Sequence, residues 1–291
     1  MAFGGVHFFE KGDDAMRWKQ FLTPVQSFNA IEADAYMKRS KADAYTLLDV
    51  RQAKEYQSEH LPGAKLIPLP DLGQRLDELN AEIPTIVYCA IGGRSRIAAQ
   101  MLASKGFKEI YNLSGGIKAW ASKKAIGKEE LGLNVFSGKE SPEETLIIAY
   151  SLEAGLREFY LAMTEKIDND KTASLFEKLS TIEVKHQDRL FNEYNRLTGN
   201  SMDREEFEKK MVAPRMEGGL TIDEYLALYQ PDLAIPLEVI SLAMAIEAQA
   251  LDLYQRAADR ADKDDTQNVL LRIADEERAH LAQLGRLLET V

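Results

Sequence analysis

The 291-residue chain contains a single cysteine, Cys89. One thiol excludes an internal disulfide and any metal site built from several cysteines, and it suits a reducing compartment. No apolar run approaches the ~20 residues that a membrane-spanning helix needs. The first residues, Met1–Glu10, are followed at once by Lys11, Asp13 and Asp14, which differs from a secretory signal peptide. These absences predict a soluble, cytoplasmic protein without a membrane partner.

Histidine is also scarce, with four residues, and charge is unevenly distributed along the chain. Residues 1–137 carry a net charge of +2, whereas residues 138–291 carry −13. Such an acidic second half argues against nucleic acid as a partner. The length suits two domains of roughly 100–150 residues each.

The first part of the sequence alternates strand-like and helix-like segments. Short apolar runs at 45–50, 85–89 and 109–113 are typical of strands, and residues 95–107 have the pattern of a helix. Strands interleaved with helices predict an α/β domain with a central, mostly parallel sheet.

The second part is almost wholly helical and repeats itself at an offset of 94 residues. Each repeat predicts a helical hairpin, with polar turns around Asp168–Thr172 and Ala261–Thr266. Because the connection from Gly199 to Pro236 is long enough to run the length of the bundle, we expect an all-α, ferritin-like four-helix bundle with a long crossover. The repeated pairs are Pro142 and Pro236, Glu144 and Glu238, Glu153 and Glu247, Tyr160 and Tyr254, Glu183 and Glu277, and His186 and His280.

The boundary between the two parts is marked by composition. Residues 123–140 are polar and contain glycine, which is typical of a linker. Ser141, Pro142 and Glu144 then have the spacing of a helix N-cap with a capping box. The sequence therefore predicts a first domain over residues 1–122, a linker over 123–140 and a bundle over 141–291.

Acidic residues and histidines interrupt the apolar stripes of the four long helices. Unpaired buried carboxylates cost several kcal/mol each, so their presence in a core requires a compensating charge. Two divalent cations would neutralise four carboxylates, and this donor set is that of ferritin-like di-iron and di-manganese proteins. The alternative is a metal-free core whose polar residues bond to one another. The candidate ligands are Glu153, Glu183, His186, Glu247, Glu277 and His280.

The sequence around Cys89 reads TIVYCAIGGRSR. A loop over residues 90–94, between a strand end and a helix N-terminus, directs backbone N–H groups and the helix dipole at an anion. The same environment lowers a thiol pKa, so Cys89 is a candidate nucleophile and Arg94 a candidate catalytic cation. The alternative is a cysteine that serves as a small buried apolar residue. Candidate substrate-binding residues are Ala90, Ile91, Gly92, Gly93 and Ser95.

Residues 141–291 resemble the rubrerythrin branch of the ferritin-like superfamily in the six repeated ligand positions. The resemblance implies a carboxylate-bridged centre of two iron ions, with other divalent metals as alternatives, that reacts with hydrogen peroxide or dioxygen. It implies Glu183 and Glu277 as the bridges, and a homodimer. The chain departs from rubrerythrins proper at Ala250, where a further glutamate ligand is usual, and it lacks the four cysteines of their rubredoxin module.

Residues 26–122 resemble the rhodanese domain, a sulfurtransferase family. The matching motifs are LLDVR (47–51), EYQSEHLPGA (55–64), YCAIGGRS (88–95) and LSGGIKAW (113–120), with Glu59 where glycine is usual. The resemblance implies that Cys89 accepts sulfane sulfur as a persulfide, held by the amides of the loop, and passes it to an acceptor. It also implies that Asp49 and Arg51 support the active loop, and that the donors are small sulfur anions or persulfides.

Three functions are consistent with this sequence. The first is a sulfurtransferase that uses Cys89 and is coupled to redox chemistry at a non-haem di-iron centre. The second is a peroxide-scavenging or ferroxidase protein in which the rhodanese domain is a persulfide sensor or docking module. The third is a non-enzymatic sensor whose persulfidation is read by partner proteins.

Overall fold

The structure is a computed structural model that describes residues 25–212 and 216–289. Contacts divide the described chain into two compact units. The first contains residues 25–36, 44–52 and 65–120, and the second contains 37–43, 53–64 and the described residues from 121 onward. Residues 1–24 of the predicted first domain, and 213–215 and 290–291 of the predicted bundle, lie outside the described residues. The predicted contiguous boundaries remain a proposal.

A five-stranded parallel sheet organises the first unit. Its strand order is β1-β5-β4-β2-β3, and every pairing is parallel. All four residues of β4 are buried, which fits a central strand of a parallel sheet. The predicted α/β class is confirmed. The strands are β1 (Gln26–Phe28), β2 (Thr46–Asp49), β3 (Lys65–Leu66), β4 (Thr85–Tyr88) and β5 (Ile110–Leu113).

Three helices accompany these strands along the chain: α1 (Ala30–Arg39), α2 (Ala53–Ser58) and α3 (Gly93–Ser104). The helix α3 begins two residues earlier than the sequence pattern predicts, and β4 ends one residue earlier. The reason is Gly92, which holds the N-cap position of α3 with a φ of 98°, a conformation that glycine adopts without strain. The turn between β4 and α3 is therefore limited to residues 89–92.

Four long helices form the second unit, as the repeat predicts. Both repeats begin at a proline in the first helical position, and the helices within each pair are antiparallel neighbours joined by three residues. The described residues of the crossover between the hairpins include two short α-helices. The elements are α4 (Pro142–Lys166), α5 (Asp170–Thr198), α6 (Arg204–Glu208), α7 (Ile222–Tyr229), α8 (Pro236–Arg260) and α9 (Asp264–Leu288).

Helix starts in this unit follow from local hydrogen bonds. At α4 the Ser141 hydroxyl accepts a hydrogen bond from the Glu144 N–H at 3.2 Å, and the Ser141 N–H donates to Glu144 Oε2 at 2.7 Å. This is the predicted capping box. At α5 the Asn169 side chain accepts from Lys171 N–H and Thr172 N–H. Because Asn169 caps α5, the turn between α4 and α5 is shorter than the turn that the sequence predicts around Asp168–Thr172.

The segment predicted to be a linker contributes to the core of the second unit. Leu133 and Phe136 are buried, and the Phe136 ring lies edge-on to Tyr254 of α8. Arg256 of α8 donates through Nη1 to the carbonyl oxygens of residues 129 and 131, at 2.7 and 2.9 Å. The Arg256 Nε also donates to Asp252 Oδ2 at 2.7 Å, within one helix turn. A buried ion pair therefore holds the backbone of this segment.

Candidate functional sites

Cys89 directly follows β4, at the carboxyl end of the sheet. Its side chain is 1% exposed and belongs to the apolar core of the first unit. The Gly92 N–H donates a hydrogen bond to Cys89 Sγ at 3.1 Å, and the Ser95 hydroxyl lies 3.5 Å from the same sulfur. The thiol is thus buried as an apolar residue would be, yet it has hydrogen-bond donors directed at it.

These donors affect the pKa of the Cys89 thiol. Burial by itself raises the pKa of Cys89, because it disfavours the charged form. The Ser95 hydroxyl and the amides of Ser95, Ile91 and Gly92 outweigh burial, and the net pKa is lowered from its ordinary value. The N-terminus of α3 adds a favourable dipole. The site therefore favours a thiolate.

A second layer of contacts holds the donors in place. The single Ser95 hydroxyl hydrogen is shared between Cys89 Sγ at 3.5 Å and Asn112 Oδ1 at 2.6 Å, and Asn112 is buried in β5. Sequence reasoning missed Asn112, although a polar residue inside the buried strand IYNL was the available signal. Behind the loop, Gly116 adopts a φ of 58°, and a Cβ there would collide with the Cys89 carbonyl oxygen. The Ile117 N–H donates to that carbonyl at 2.9 Å.

Asp49 and Arg51 form a buried ion pair at the end of β2. The Arg51 Nε and Nη2 donate to the Asp49 carboxylate at 2.7–3.0 Å, and the Arg51 N–H donates to Asp49 Oδ1 at 2.9 Å. The Arg51 guanidinium also lies 5.4 Å from the centre of the Tyr88 ring. Since Tyr88 precedes Cys89, this contact supports the predicted role of the pair in bracing the loop, which stays a prediction.

The remaining predicted substrate-binding residues surround the same turn. Ile91 lies in the loop and is 65% exposed, in contrast to the buried thiol two residues earlier. Gly93 and Arg94 form the start of α3, where the Arg94 side chain is half-buried. The predicted loop over residues 90–94 is thus shorter in the structure, since Gly93 and Arg94 belong to α3, and the roles of these residues in binding remain predictions.

The second candidate site lies inside the four-helix bundle. It has two groups of three residues, each of which can bring its ligand atoms within 4.8 Å of one another. In the first group, His186 Nδ1 lies 2.8 Å from Glu183 Oε2 and 3.5 Å from Glu153 Oε2. All six predicted ligands are at most 5% exposed. The groups are Glu153, Glu183 and His186, and Glu247, Glu277 and His280.

The second group repeats the geometry of the first. His280 Nδ1 lies 3.0 Å from Glu277 Oε2 and 3.4 Å from Glu247 Oε2. The imidazole rings of His186 and His280 stack with their centres 3.5 Å apart and their planes 4° from parallel. The structure therefore brings all six predicted residues into one cluster.

The donor atoms of this cluster fit divalent cations. Three buried carboxylate oxygens, Glu153 Oε2, Glu247 Oε2 and Glu277 Oε1, have no hydrogen-bond partner among the described residues. Such atoms carry a large desolvation cost unless a cation or proton compensates it. Carboxylate oxygens and imidazole nitrogens are ligands for iron, manganese and zinc. The position of the additional rubrerythrin ligand holds Ala250, which is buried and offers no donor.

The electrostatics of the cluster show the same need for positive charge. Burial, with the charges of Glu153 and Glu247, raises the pKa of Glu183 well above its ordinary value. Burial and the Glu277 charge raise the pKa of Glu247 to about 7. Burial lowers the pKa of His280, but the neighbouring carboxylates Glu277 and Glu247 outweigh it and raise that pKa to about 12. Without metal, these shifts favour the protonated forms of Glu183, Glu247 and His280. Burial also raises the pKa of Glu153, but the contacts with His186 lower it, and the net pKa falls below its ordinary value.

Two known families match successive parts of the chain. Residues 32–123 match the family model of the Rhodanese-like domain, and residues 144–288 match that of Rubrerythrin. The chain therefore carries a rhodanese-like domain followed by a rubrerythrin domain. This fusion is the one that the sequence motifs predict.

Individual relatives match shorter parts of the chain. The "Uncharacterized protein YqhL" of Bacillus subtilis (strain 168) is 46% identical over 77 residues, which are 26% of this chain and 61% of the relative. The "Putative sulfur carrier protein YrkF" of the same organism is 32% identical over 117 residues, 40% of this chain and 61% of the relative. The chain thus spans about three fifths of the length of these curated relatives.

Similar solved structures include a rhodanese-like domain protein from Staphylococcus aureus, at 28% identity and a TM-score of 0.33. That match covers 36% of this chain and 100% of the other. A "rhodanese with anions from E. coli" is 32% identical with a TM-score of 0.27, and the match covers 29% of this chain and 100% of that structure.

None of the helices in the described parts of the chain is both long and apolar enough to cross a membrane.

Proposed function

We propose that Cys89 accepts a sulfane sulfur as a persulfide and transfers it to an acceptor. With thiosulfate as donor, the Cys89 thiolate attacks the outer sulfur, the S–S bond of thiosulfate breaks, and sulfite leaves with the electron pair. A nucleophile of the acceptor then attacks the outer persulfide sulfur, and Cys89 leaves as a thiolate. The name of the relative YrkF, a putative sulfur carrier, is in keeping with this chemistry.

The observation that carries this proposal is the set of donors around Cys89 Sγ. A bare buried cysteine would have a raised pKa, whereas the Gly92 N–H at 3.1 Å and the other amides lower it. The same amides would hold the outer sulfur of a persulfide, as backbone N–H groups bind anions elsewhere. Arg94, in the first turn of α3, would supply a fixed positive charge for an incoming sulfur anion.

We further infer that the bundle holds two iron ions, or other divalent cations, on its six buried ligands. When bound, iron would supply redox chemistry with hydrogen peroxide or dioxygen. The contribution of the chain is to present four carboxylates and two imidazoles in a buried core. The unpartnered oxygens of Glu153, Glu247 and Glu277 support this inference most directly, because protein donors leave them unsatisfied.

Mass spectrometry tests the sulfur chemistry. The wild-type protein incubated with thiosulfate should gain one sulfur atom on the peptide that contains Cys89, and it should transfer sulfur to cyanide. Since the chain has one thiol, iodoacetamide modifies that site alone and should block both results, as should Cys89→Ser. A wild-type protein that shows neither an adduct nor turnover overturns the sulfurtransferase proposal.

Metal analysis tests the second inference. Protein expressed in iron-replete medium should contain about two metal ions per chain, because the bundle supplies the six-ligand set. The double variant Glu183→Ala, Glu277→Ala should lose them. The double variant Glu158→Ala, Glu165→Ala is a matched control, since it removes two exposed carboxylates of α4. Wild-type protein without bound metal after such expression contradicts the inference.

A further inference from the structure

A groove runs between α5 and α9 on the surface of the bundle. Its volume is about 340 Å³, and Leu146, Leu190 and Ile273, each at most 3% exposed, form its floor. Its walls carry three arginines and two glutamates, an excess of one positive charge in the half of the chain that carries −13. The polar lining residues are Arg189, Asn192, Glu193, Arg196, Arg272 and Glu276.

The floor of the groove is formed by residues close along the helices to ligands of the candidate metal centre. Leu190 follows His186 by four residues on α5, and Ile273 precedes Glu277 by four residues on α9, so the floor lies one helical turn from ligands on both helices. Glu276 lines the groove and adjoins Glu277 in the sequence. Because the six ligands are at most 5% exposed, any reactant needs a path through the surrounding helices.

Two ion pairs cross the groove, one turn apart. The inner ion pair joins Arg189 Nη2 to Glu276 Oε2 at 2.9 Å. The outer ion pair joins Arg272 Nη2 to Glu193 Oε1, also at 2.9 Å, with the charges reversed between the helices. Both pairs are partly exposed to solvent, so each costs little to open. They differ in position, since only the inner pair contains a residue, Glu276, that adjoins a candidate ligand in the sequence.

We propose that this groove admits small anions and peroxide to the metal centre, and that the inner ion pair obstructs its inner end. The proposal rests on the function proposed for the bundle. The excess of guanidinium groups attracts a small anion to the groove, and the apolar floor offers it no competing hydrogen bond on the way to Arg189. Arg189 is therefore the residue that controls entry.

Azide binding to the metal-loaded full-length protein tests the proposal. Stopped-flow absorbance gives the association rate of azide with the centre, a readout that is independent of turnover. We expect Arg189→Gln to raise this rate about three- to fivefold, the factor that corresponds to an exposed ion pair. Arg272→Gln is the matched control, because it removes the same charge and breaks the outer pair. Asn192→Trp fills the groove and should lower the rate.

The outcomes distinguish a failure of the groove proposal from a failure of the proposed metal centre. Metal content is measured first, and protein that binds no metal contradicts the proposed function. With metal bound, equal azide rates for Arg189→Gln and Arg272→Gln, or an unchanged rate for Asn192→Trp, overturn the groove proposal alone. Helical circular dichroism confirms that each variant is folded, and the two groove variants act in opposite directions, so a general loosening of the bundle cannot mimic both.

Discussion

Replacing one buried carboxyl group with a side chain that cannot ionise should alter how the stability of the metal-free protein depends on pH. In the second ligand group, Glu247 is 2% exposed, and its Oε2 lies 3.4 Å from His280 Nδ1 without a hydrogen bond. Burial and the charge of Glu277 raise its pKa to about 7. The substitution Glu247→Gln replaces the protonated carboxyl group with a neutral amide of nearly the same shape.

The sign and size of the effect follow from proton linkage. Below pH 4.5 the Glu247 carboxyl is protonated in both the folded and the unfolded chain. Between pH 4.5 and 7 the unfolded chain ionises while the folded chain keeps its proton, so the folded protein loses stability as the pH rises. At 1.36 kcal/mol per pKa unit, the loss reaches about 3 kcal/mol. The amide of Glu247→Gln does not titrate, and that variant should escape the loss.

The assay is urea unfolding of chelator-treated protein, followed by helical circular dichroism at several pH values. The stability of Glu247→Gln relative to wild type should increase by about 3 kcal/mol between pH 4.5 and 7.5. Glu158→Gln, on the exposed face of α4, controls for the loss of one negative charge. A difference that stays constant or shrinks as the pH rises refutes the reasoning, because Glu247 would then be ionised in the metal-free bundle.

Three further substitutions test particular contacts. Ser95→Ala removes a hydroxyl donor near the thiolate, so we expect a higher pKa of Cys89 in the pH dependence of iodoacetamide alkylation. Gly116→Ala should destabilise the protein by more than about 1 kcal/mol in urea unfolding and reduce sulfur transfer, since its Cβ strikes the active loop. Asp252→Asn leaves Arg256 buried without a counter-charge and should cost about 3–5 kcal/mol in the same assay.

Each of these substitutions has its own control. Gly73→Ala should leave stability and sulfur transfer unchanged, because its Cβ would meet only the end of Met101 at 4.0 Å. The double variant Asp252→Asn, Arg256→Met removes both members of the buried pair and should recover part of the loss. An unchanged alkylation profile for Ser95→Ala, equal effects at both glycines, or a stable Asp252→Asn would contradict the respective argument.

Much of this fold is readable from the sequence because the determining signals are local or repeated. The capping box at Ser141 depends on residues three positions apart, and a sequence pattern reveals it directly. The offset of 94 residues between Glu153 and Glu247, and between His186 and His280, by itself indicates two equivalent hairpins. The six ligands converge because the hairpins place equal positions at equal depths in the bundle.

Features that depend on contacts between distant residues were not predictable. The segment over residues 123–140 is held in part by Arg256, which donates to its carbonyl oxygens from more than 120 residues away in the sequence. A polar composition gives no sign of such a contact. Asn112 supports the thiol site only through Ser95, and the inner ion pair of Arg189 and Glu276 forms because two helices pack side by side. These contacts depend on how the strands and helices align in three dimensions, which the local sequence does not specify.

The proposed sulfur transfer needs only one thiol, and it needs that thiol to have a low pKa. A lowered pKa increases the thiolate fraction of Cys89, although it also makes the thiolate a weaker nucleophile. In the second step the same property helps, because a thiolate of low pKa is the better leaving group when an acceptor attacks the persulfide. With no second cysteine in the chain, no internal thiol competes for that sulfur. The donors around Cys89 therefore favour release of sulfur to another molecule over its retention.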